Sequence, residues 1–310
     1  MNALELRGID GSNPLGMLAA LGVLRVAATS HSDARMAWRI EAYPFPLLET
    51  RLTLPELAEA IGREALRVAA EVASEEYGDI ISIDVERFRA CAGRAIPERA
   101  LPGDPADSDH FAAWASDAVR KQDKGKETLV ECCGFSFSNG GSGQVLLKNY
   151  RQLAESMRPD AAVRNLSERD ALLTEQSMTN LNWDPSANRS YALRWHNPED
   201  RRNSPKRTNI ALNVAAFLGL ALLPAVPVGV RCLASTGMGP AQESWTWPLW
   251  KPALALPVVR SLLAAGPAEF GSADVIAVFR ARRFSINKRF YFAPAEPVPT
   301  PAPQTDGTRP

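Results

Sequence analysis

From Leu15 to Ala27 the chain is apolar on nearly every side, a pattern that predicts a buried helix rather than a surface one. Ser12-Asn13-Pro14 marks its start: Asn13 can cap free backbone N–H groups, and Pro14 suits the first helical position, where no donor is needed. Gly16 and Gly22, with Ala19 and Ala20 between them, let another element approach closely, against about 1 kcal/mol of helix propensity per glycine. Met36–Tyr43 alternates as a strand, with Trp38, Ile40 and Ala42 on one face and Arg39 and Glu41 on the other. Thr53-Leu-Pro-Glu56 opens a second helix reaching to about Glu75, with Thr53 as cap and Glu56 closing a capping box. Its outer face carries Glu56, Glu59, Arg63, Glu64, Arg67 and Glu71.

Further along, Ile80–Val85 reads as a short strand and Gly93–Asp109 as a surface loop rich in Pro, Asp and Gly. A helix capped by Ser108 or Asp109 is expected through Ala118. It leads into the polar run from Arg120 to Lys126, the expected boundary between two lobes or a disordered loop. Glu127–Phe137 predicts a strand, Asn139-Gly-Gly-Ser-Gly-Gln144 a turn, and Gln144–Met157 a helix. Residues 180–208 are polar and irregular. Thr208–Leu223 predicts a helix packed on most sides, Val226–Leu233 a strand, and Trp245–Trp250 an extended aromatic segment. Pro257–Ala265 reads as a short helix, and Asp274–Ile286 and Arg289–Ala293 as two strands joined near Asn287-Lys288. From Glu296 onward, Pro297, Pro299, Pro301 and Pro303 predict a disordered tail that builds no core. The expected fold is α+β: an N-terminal lobe over 1–125, a basic C-terminal lobe over 126–296, and a tail over 297–310.

Composition supports a globular chain long enough for two lobes, with 310 residues, 45% of them apolar and 23% charged. Thirty-five basic side chains balance thirty-five acidic ones, which excludes a polybasic protein acting by bulk charge and an acidic disordered chain. The zero conceals a gradient. Residues 1–180 carry 20 basic and 27 acidic side chains, and residues 181–310 carry 15 and 8. A neutral chain with a basic C-terminal part can present one positive face to phosphates, although a scatter over solvated surfaces gives the same totals.

Common catalytic signatures are missing. His31, His110 and His196 lie far apart, outside any zinc or His-Asp pattern, and Cys91, Cys132, Cys133 and Cys232 form no C-x-x-C pair. Cys132 and Cys133 read as small side chains on a buried strand. There is no phosphate-binding G-x-x-x-x-G-K-[ST], and Gly134-Phe-Ser136-Phe-Ser138 fails the G-x-S-x-G elbow. A non-catalytic protein without metal or cofactor is expected. The first residues do not read as a secretory leader, and Pro224, Pro227 and Asn213 interrupt the most apolar stretch. A cytoplasmic protein that crosses no membrane is therefore expected.

Three places carry phosphate-binding chemistry. The turn Gly140-Gly-Ser-Gly143 offers backbone N–H groups, with Lys148 one helical turn beyond; it equally suits a flexible strand-to-helix turn. The segment from Asn182 to Arg207 mixes Trp183, Tyr191 and Trp195 with Arg189, Arg194, Arg201, Arg202, Lys206 and Arg207. Guanidinium forks bind phosphates and exposed rings stack on unpaired bases, though the tryptophans serve as well as buried anchors. The third is Val278–Phe292, with Arg280, Arg282, Arg283, Lys288 and Arg289. As a strand it places Arg280, Arg282, Phe284 and Ile286 on one face and Phe279, Ala281 and Arg283 on the other. Arginines beside aromatics on a sheet suit a nucleic-acid surface, and also a solvated face with snorkelling arginines.

The run Leu6-Arg-Gly-Ile-Asp-Gly-Ser-Asn-Pro-Leu-Gly-Met-Leu-Ala-Ala-Leu-Gly-Val-Leu-Arg25 resembles the opening of proteins from type I-G (formerly I-U) CRISPR systems. It is similar to the start of the large effector subunit and to a smaller family named as an extension of the Cas helicase–nuclease. Asn182-Trp-Asp-Pro-Ser-Ala187 and Thr246-Trp-Pro-Leu-Trp250 also resemble the smaller family. The resemblance implies a part in antiviral defence, with guide RNA or target DNA and with other effector subunits or the helicase–nuclease as partners. It carries no catalytic residue over to this chain. Two other readings stand beside it. One is a protein-interaction module docking a partner through Trp245, Trp247 and Trp250; the other is a nuclease using scattered carboxylates such as Asp184 and Glu243.

Overall fold

Two apolar helices form the centre of the molecule, α1 (Pro14–Ser30) and the later Ile210–Gly219, which runs on into a 3-10 turn at Leu220–Leu222. The computed structural model describes residues 1–73, 84–97, 105–123, 126–137, 146–169, 180–185, 209–229, 232–267, 270–286 and 289–299. The side chain of Asn13 accepts from the Leu15 N–H at 2.9 Å, and that of Asn209 from the Leu212 N–H at 2.9 Å. Both caps satisfy donors that a helix start leaves open. The two helices touch through reciprocal glycines. A Cβ on Gly22 would stand 1.8 Å from the Ala215 carbonyl oxygen, and one on Gly219 2.1 Å from that of Leu18. The expected close approach at Gly22 is thus backbone against backbone, whereas Gly16 lies against the backbone of Asp10.

Around this pair stand α2 (Leu54–Glu71), α3 (Val85–Arg94), α4 (Ser108–Trp114), α5 (Leu146–Ser156) and α6 (Pro159–Ser167). The central helix Ile210–Gly219 is α7, and α8 spans Leu256–Ala265. α2 begins with the expected capping box between Thr53 and Glu56. It ends at Glu71, short of the expected Glu75. α5 and α6 pack on α2 and α7.

One sheet has the order β1-β3-β2-β9, built from Asn2–Glu5 (β1), Arg35–Ile40 (β2), Pro44–Thr50 (β3) and Leu254–Ala255 (β9). The strand expected over Met36–Tyr43 stops at Ile40, which is exposed, and the chain turns back as β3. In the other main sheet the long strand β10 (Val275–Ile286) pairs antiparallel with β8 (Ser244–Trp250), β11 (Arg289–Phe292) and β12 (Glu296–Pro297).

The architecture is mixed α+β with antiparallel sheets, as expected. Several local expectations are corrected. The helix expected through Ala118 ends at Trp114, and Ala115–Asp123 becomes β4, paired with β5 (Lys126–Cys132). The described residues of the polar run expected to separate two lobes thus lie in paired strands, with Arg120 opposite Val130 and Asp123 opposite Lys126, each strand supplying the other's backbone partners. One hydrophobic cluster includes Leu24 and Trp38 before this strand pair and Phe217 and Trp250 after it. The strand expected over Val226–Leu233 is also a strand pair, β6 (Ala225–Val228) with β7 (Cys232–Ser235). Gly229, at φ +69°, takes the left-handed backbone directly after β6.

Asp84 and Val85 begin α3 rather than end a strand; residues 80–83 lie outside the described set. The strand expected through Phe137 ends at Cys132. Cys132 is half-buried, and Cys133 lies beyond the strand, buried with Sγ 3.5 Å from the Ser136 hydroxyl. The tail is corrected at its start. Arg280 pairs with Glu296, Phe279 with Pro297, and the Val298 N–H donates to Val278 at 2.8 Å. An edge strand tolerates proline because the outward side of the ladder needs no donor. Residues 300–310 lie outside the described set.

Candidate nucleic-acid interface

β10 reads Val-Ile-Ala-Val-Phe-Arg-Ala-Arg-Arg-Phe-Ser-Ile, and strand alternation divides it into two unlike faces. Inward, Ala281 is buried opposite Trp245 of β8, and Phe279 lies opposite Trp247 with ring centroids 6.2 Å apart. Outward stand Arg280 and Arg282, both exposed, followed by Phe284. This division is the one the sequence predicts.

The tryptophans beneath the face are anchors. Trp247 Nε1 donates to the Gly11 carbonyl at 2.9 Å and Trp250 Nε1 to the Met36 carbonyl at 2.7 Å, tying the sheet to the N-terminal region at two places. Trp183 is buried as well, and its Nε1 donates to the Phe135 carbonyl at 3.1 Å. Trp245, Trp247 and Trp250 are all fully buried, so the expectation that they dock a partner is corrected. Full burial of the three indoles, with the N–H groups of Trp247 and Trp250 satisfied by backbone carbonyls, makes them core.

On the outer face, Arg280 Nε donates to the Thr246 hydroxyl at 3.2 Å, which holds the side chain over the sheet. Neither Arg280 nor Arg282 makes an ion pair among the described residues. Glu296 faces Arg280 in register without forming one. Phe284 is 37% exposed and faces Tyr291 of β11, their ring centroids 5.8 Å apart at 33°. The face thus joins two available guanidinium groups to a pair of neighbouring rings.

Arg283 is placed differently. It points inward, half-buried, with its guanidinium 3.6 Å from the Phe290 ring centroid and 5.5 Å from that of Phe137. Burial lowers its pKa from the ordinary guanidinium value, and its Nε is buried without a partner among the described residues. Of the three arginines named as candidate contacts, two point outward and Arg283, on the other face as the alternation predicts, stacks on a ring.

Lys148 is exposed on α5, which packs on α2 and α7, whereas β10 has β8, β11 and β12 as neighbours. Arg289 pairs through its backbone with Ile286, and its side chain is not described. Lys288, the 140–143 turn, and Arg189, Arg194, Arg201, Arg202, Lys206 and Arg207 lie outside the described residues, with Tyr191 and Trp195. The described ends of that long segment meet the central helices. Asn13 Nδ2 donates to Asp184 at 3.0 Å, and Asn209 caps α7. Nothing in the sequence pattern marks Thr246 and Tyr291 as members of this face. Only the pairing register of β8, β10 and β11 brings them there.

Of the carboxylates considered for a nuclease, Asp184 accepts from Asn13, and the Glu243 carbonyl accepts from the Arg283 N–H at 2.7 Å. Among the described residues no group of three His, Cys, Asp or Glu side chains is placed to hold a metal ion. No described helix is long and apolar enough to cross a membrane. No protein-family model matches the chain, and no curated protein sequence matches it.

Proposed function

We propose that this chain is a non-catalytic subunit or accessory of a type I CRISPR antiviral effector complex in the cytoplasm, contacting the backbone of guide RNA or target DNA. The observation that carries nucleic-acid contact is the outer face of β10, where Arg280 and Arg282 stand exposed without ion pairs to the described residues, beside Phe284. Guanidinium groups without carboxylate partners are free to take phosphate oxygens in forked hydrogen bonds. The setting in an effector complex is supported only by sequence resemblance, chiefly that of Leu6–Arg25, and this segment forms the Asn13 cap and buried helix α1 rather than a contact surface. Its natural partners are then the other effector subunits or the helicase–nuclease. In such complexes base pairing supplies sequence specificity while protein side chains hold backbones.

The test is binding of guide RNA, duplex DNA and single-stranded DNA by the full chain across a salt series. In the double variant Arg280→Ala/Arg282→Ala the logarithmic salt slope should flatten by about 1.4 on single strands, roughly 0.7 for each phosphate no longer held. Unchanged affinity and slope would remove β10 from this reading. Co-purification with effector subunits that survives nuclease treatment, without binding of free nucleic acid, would instead favour a protein-interaction module.

A further inference from the structure

The charge on the outer face of β10 is modest. Arg280 and Arg282 point outward, but Glu296 stands in register with Arg280 on β12. A duplex held by its phosphates alone needs many such contacts, since each contributes a small, salt-sensitive share. What the face adds to the two cations is an aromatic surface. Phe284 lies two residues beyond Arg282 on the same face, about 7 Å along the strand. Tyr291 sits beside Phe284 and widens the aromatic surface. Unlike the tryptophans of β8, Phe284 keeps 37% of its surface open. The π-faces of bases are hidden in a duplex and open in a single strand, where stacking on aromatic side chains tolerates any sequence.

We infer that the outer face of β10 and β11 takes single-stranded nucleic acid, with an unpaired base stacked on Phe284 beside Tyr291 and the adjoining backbone on Arg282 and Arg280. This rests on the reading of β10 as a phosphate-contacting face and narrows its ligand to strands with open bases.

Four fluorescent probes test it with the full-length chain: oligothymidylate, oligouridylate, a duplex, and an abasic strand that keeps sugar and phosphate but lacks bases. The two pyrimidine strands should bind about tenfold or more tightly than the abasic strand. Phe284→Ala should bring them down to the abasic level without changing the salt slope, and Phe284→Tyr should restore them. The partly exposed position of Phe284 lets the variant fold, which its thermal midpoint would check. Parallel use of both strands distinguishes DNA from RNA as the preferred source. Equal binding of abasic and pyrimidine strands, or of duplex and single strand, with no effect of Phe284→Ala, overturns the stacking inference and leaves phosphate contact standing. Absence of binding to every probe, or an unchanged slope in Arg280→Ala/Arg282→Ala, overturns the phosphate reading as well. A nuclease-resistant protein complex would then assign the face to a protein partner.

Discussion

Arg25 and Arg67, where α1 meets α2, and Arg280 and Arg282, on the outer face of β10, are the same side chain in opposite surroundings. Arg25 is 2% exposed and donates to Glu64 at 3.0 Å, while Arg67 donates to Glu64 at 2.9 Å and to Asp107 at 2.7 and 2.8 Å. The hydrogen bonds to Asp107 and Glu64 raise the pKa of Arg67, and the same network, led by Arg67, keeps the Glu64 carboxyl below its ordinary value despite burial. On β10, Arg280 Nε meets the neutral Thr246 hydroxyl, and among the described residues neither Arg280 nor Arg282 is paired with a carboxylate. The difference teaches that carboxylate supply, rather than arginine count, separates a structural cation from an available one. It also gives the charge gradient along the chain a local meaning.

The largest expected effect lies in the first region. Glu64→Gln leaves Arg25 buried without its carboxylate, and removing one partner of a buried pair costs about 3 kcal/mol. Urea denaturation measures this. A loss below about 1 kcal/mol, the range of exposed pairs, would erase the contrast between the two regions. Binding of nucleic acid by the folded fraction should not change.

Next comes acid. His110 is fully buried, its ring stacked 5.9 Å from Phe217 and tilted 5.7 Å from Trp114. Desolvation first, then the positive charges of Arg25 and Arg67, hold its pKa well below the ordinary histidine value. The unfolded chain therefore binds a proton that the folded one refuses. The contribution of His110 to stability is level above about pH 6.5 and falls by up to about 1.4 kcal/mol for each unit below it. Thermal midpoints across this window should lose that slope in His110→Phe, which keeps a ring between Trp114 and Phe217. Glu64, with its depressed pKa, adds a second loss only as the pH falls below the ordinary carboxylate range.

A smaller effect separates the arginines of β10 from one another. Arg283→Lys loses the planar stack over Phe290 and should cost about 1 kcal/mol of stability while leaving the salt slope of binding intact. Arg280→Ala/Arg282→Ala should do the reverse, leaving the denaturation midpoint where it is and flattening the slope. If Arg283→Lys flattened the slope equally, the division of β10 into faces of different role would fail.

Much of the local structure is legible in the residues. Asn13 with Pro14, and Thr53 with Glu56, mark helix starts because capping is settled within four residues. The alternation of β10 is legible because its two faces differ in chemistry. Other elements escape for reasons equally specific. Ala115–Asp123 has no strong local preference, and pairing with β5 makes it a strand. The short β1 and the proline-bearing β3 are strands because they find each other and β2. Glu296–Pro297 looks like a tail until the edge of β10 is seen to accept it. For the candidate face, Arg280, Arg282 and Phe284 are readable in the chain, whereas Thr246 and Tyr291 come from neighbouring strands that only the register identifies.

By itself, then, the sequence determined the mixed α+β class, the caps, the buried central helices and the two faces of β10, all governed by contacts within a few residues or by strand period. The tertiary structure decided which tryptophans are core, which arginines have carboxylates within reach, and which hydroxyl and ring complete the outer face. Those outcomes depend on pairing register and on contacts between residues such as Gly11 and Trp247, Asn13 and Asp184, or Met36 and Trp250. No local pattern encodes such distances, because the energy that sets them is shared among elements that meet only after folding.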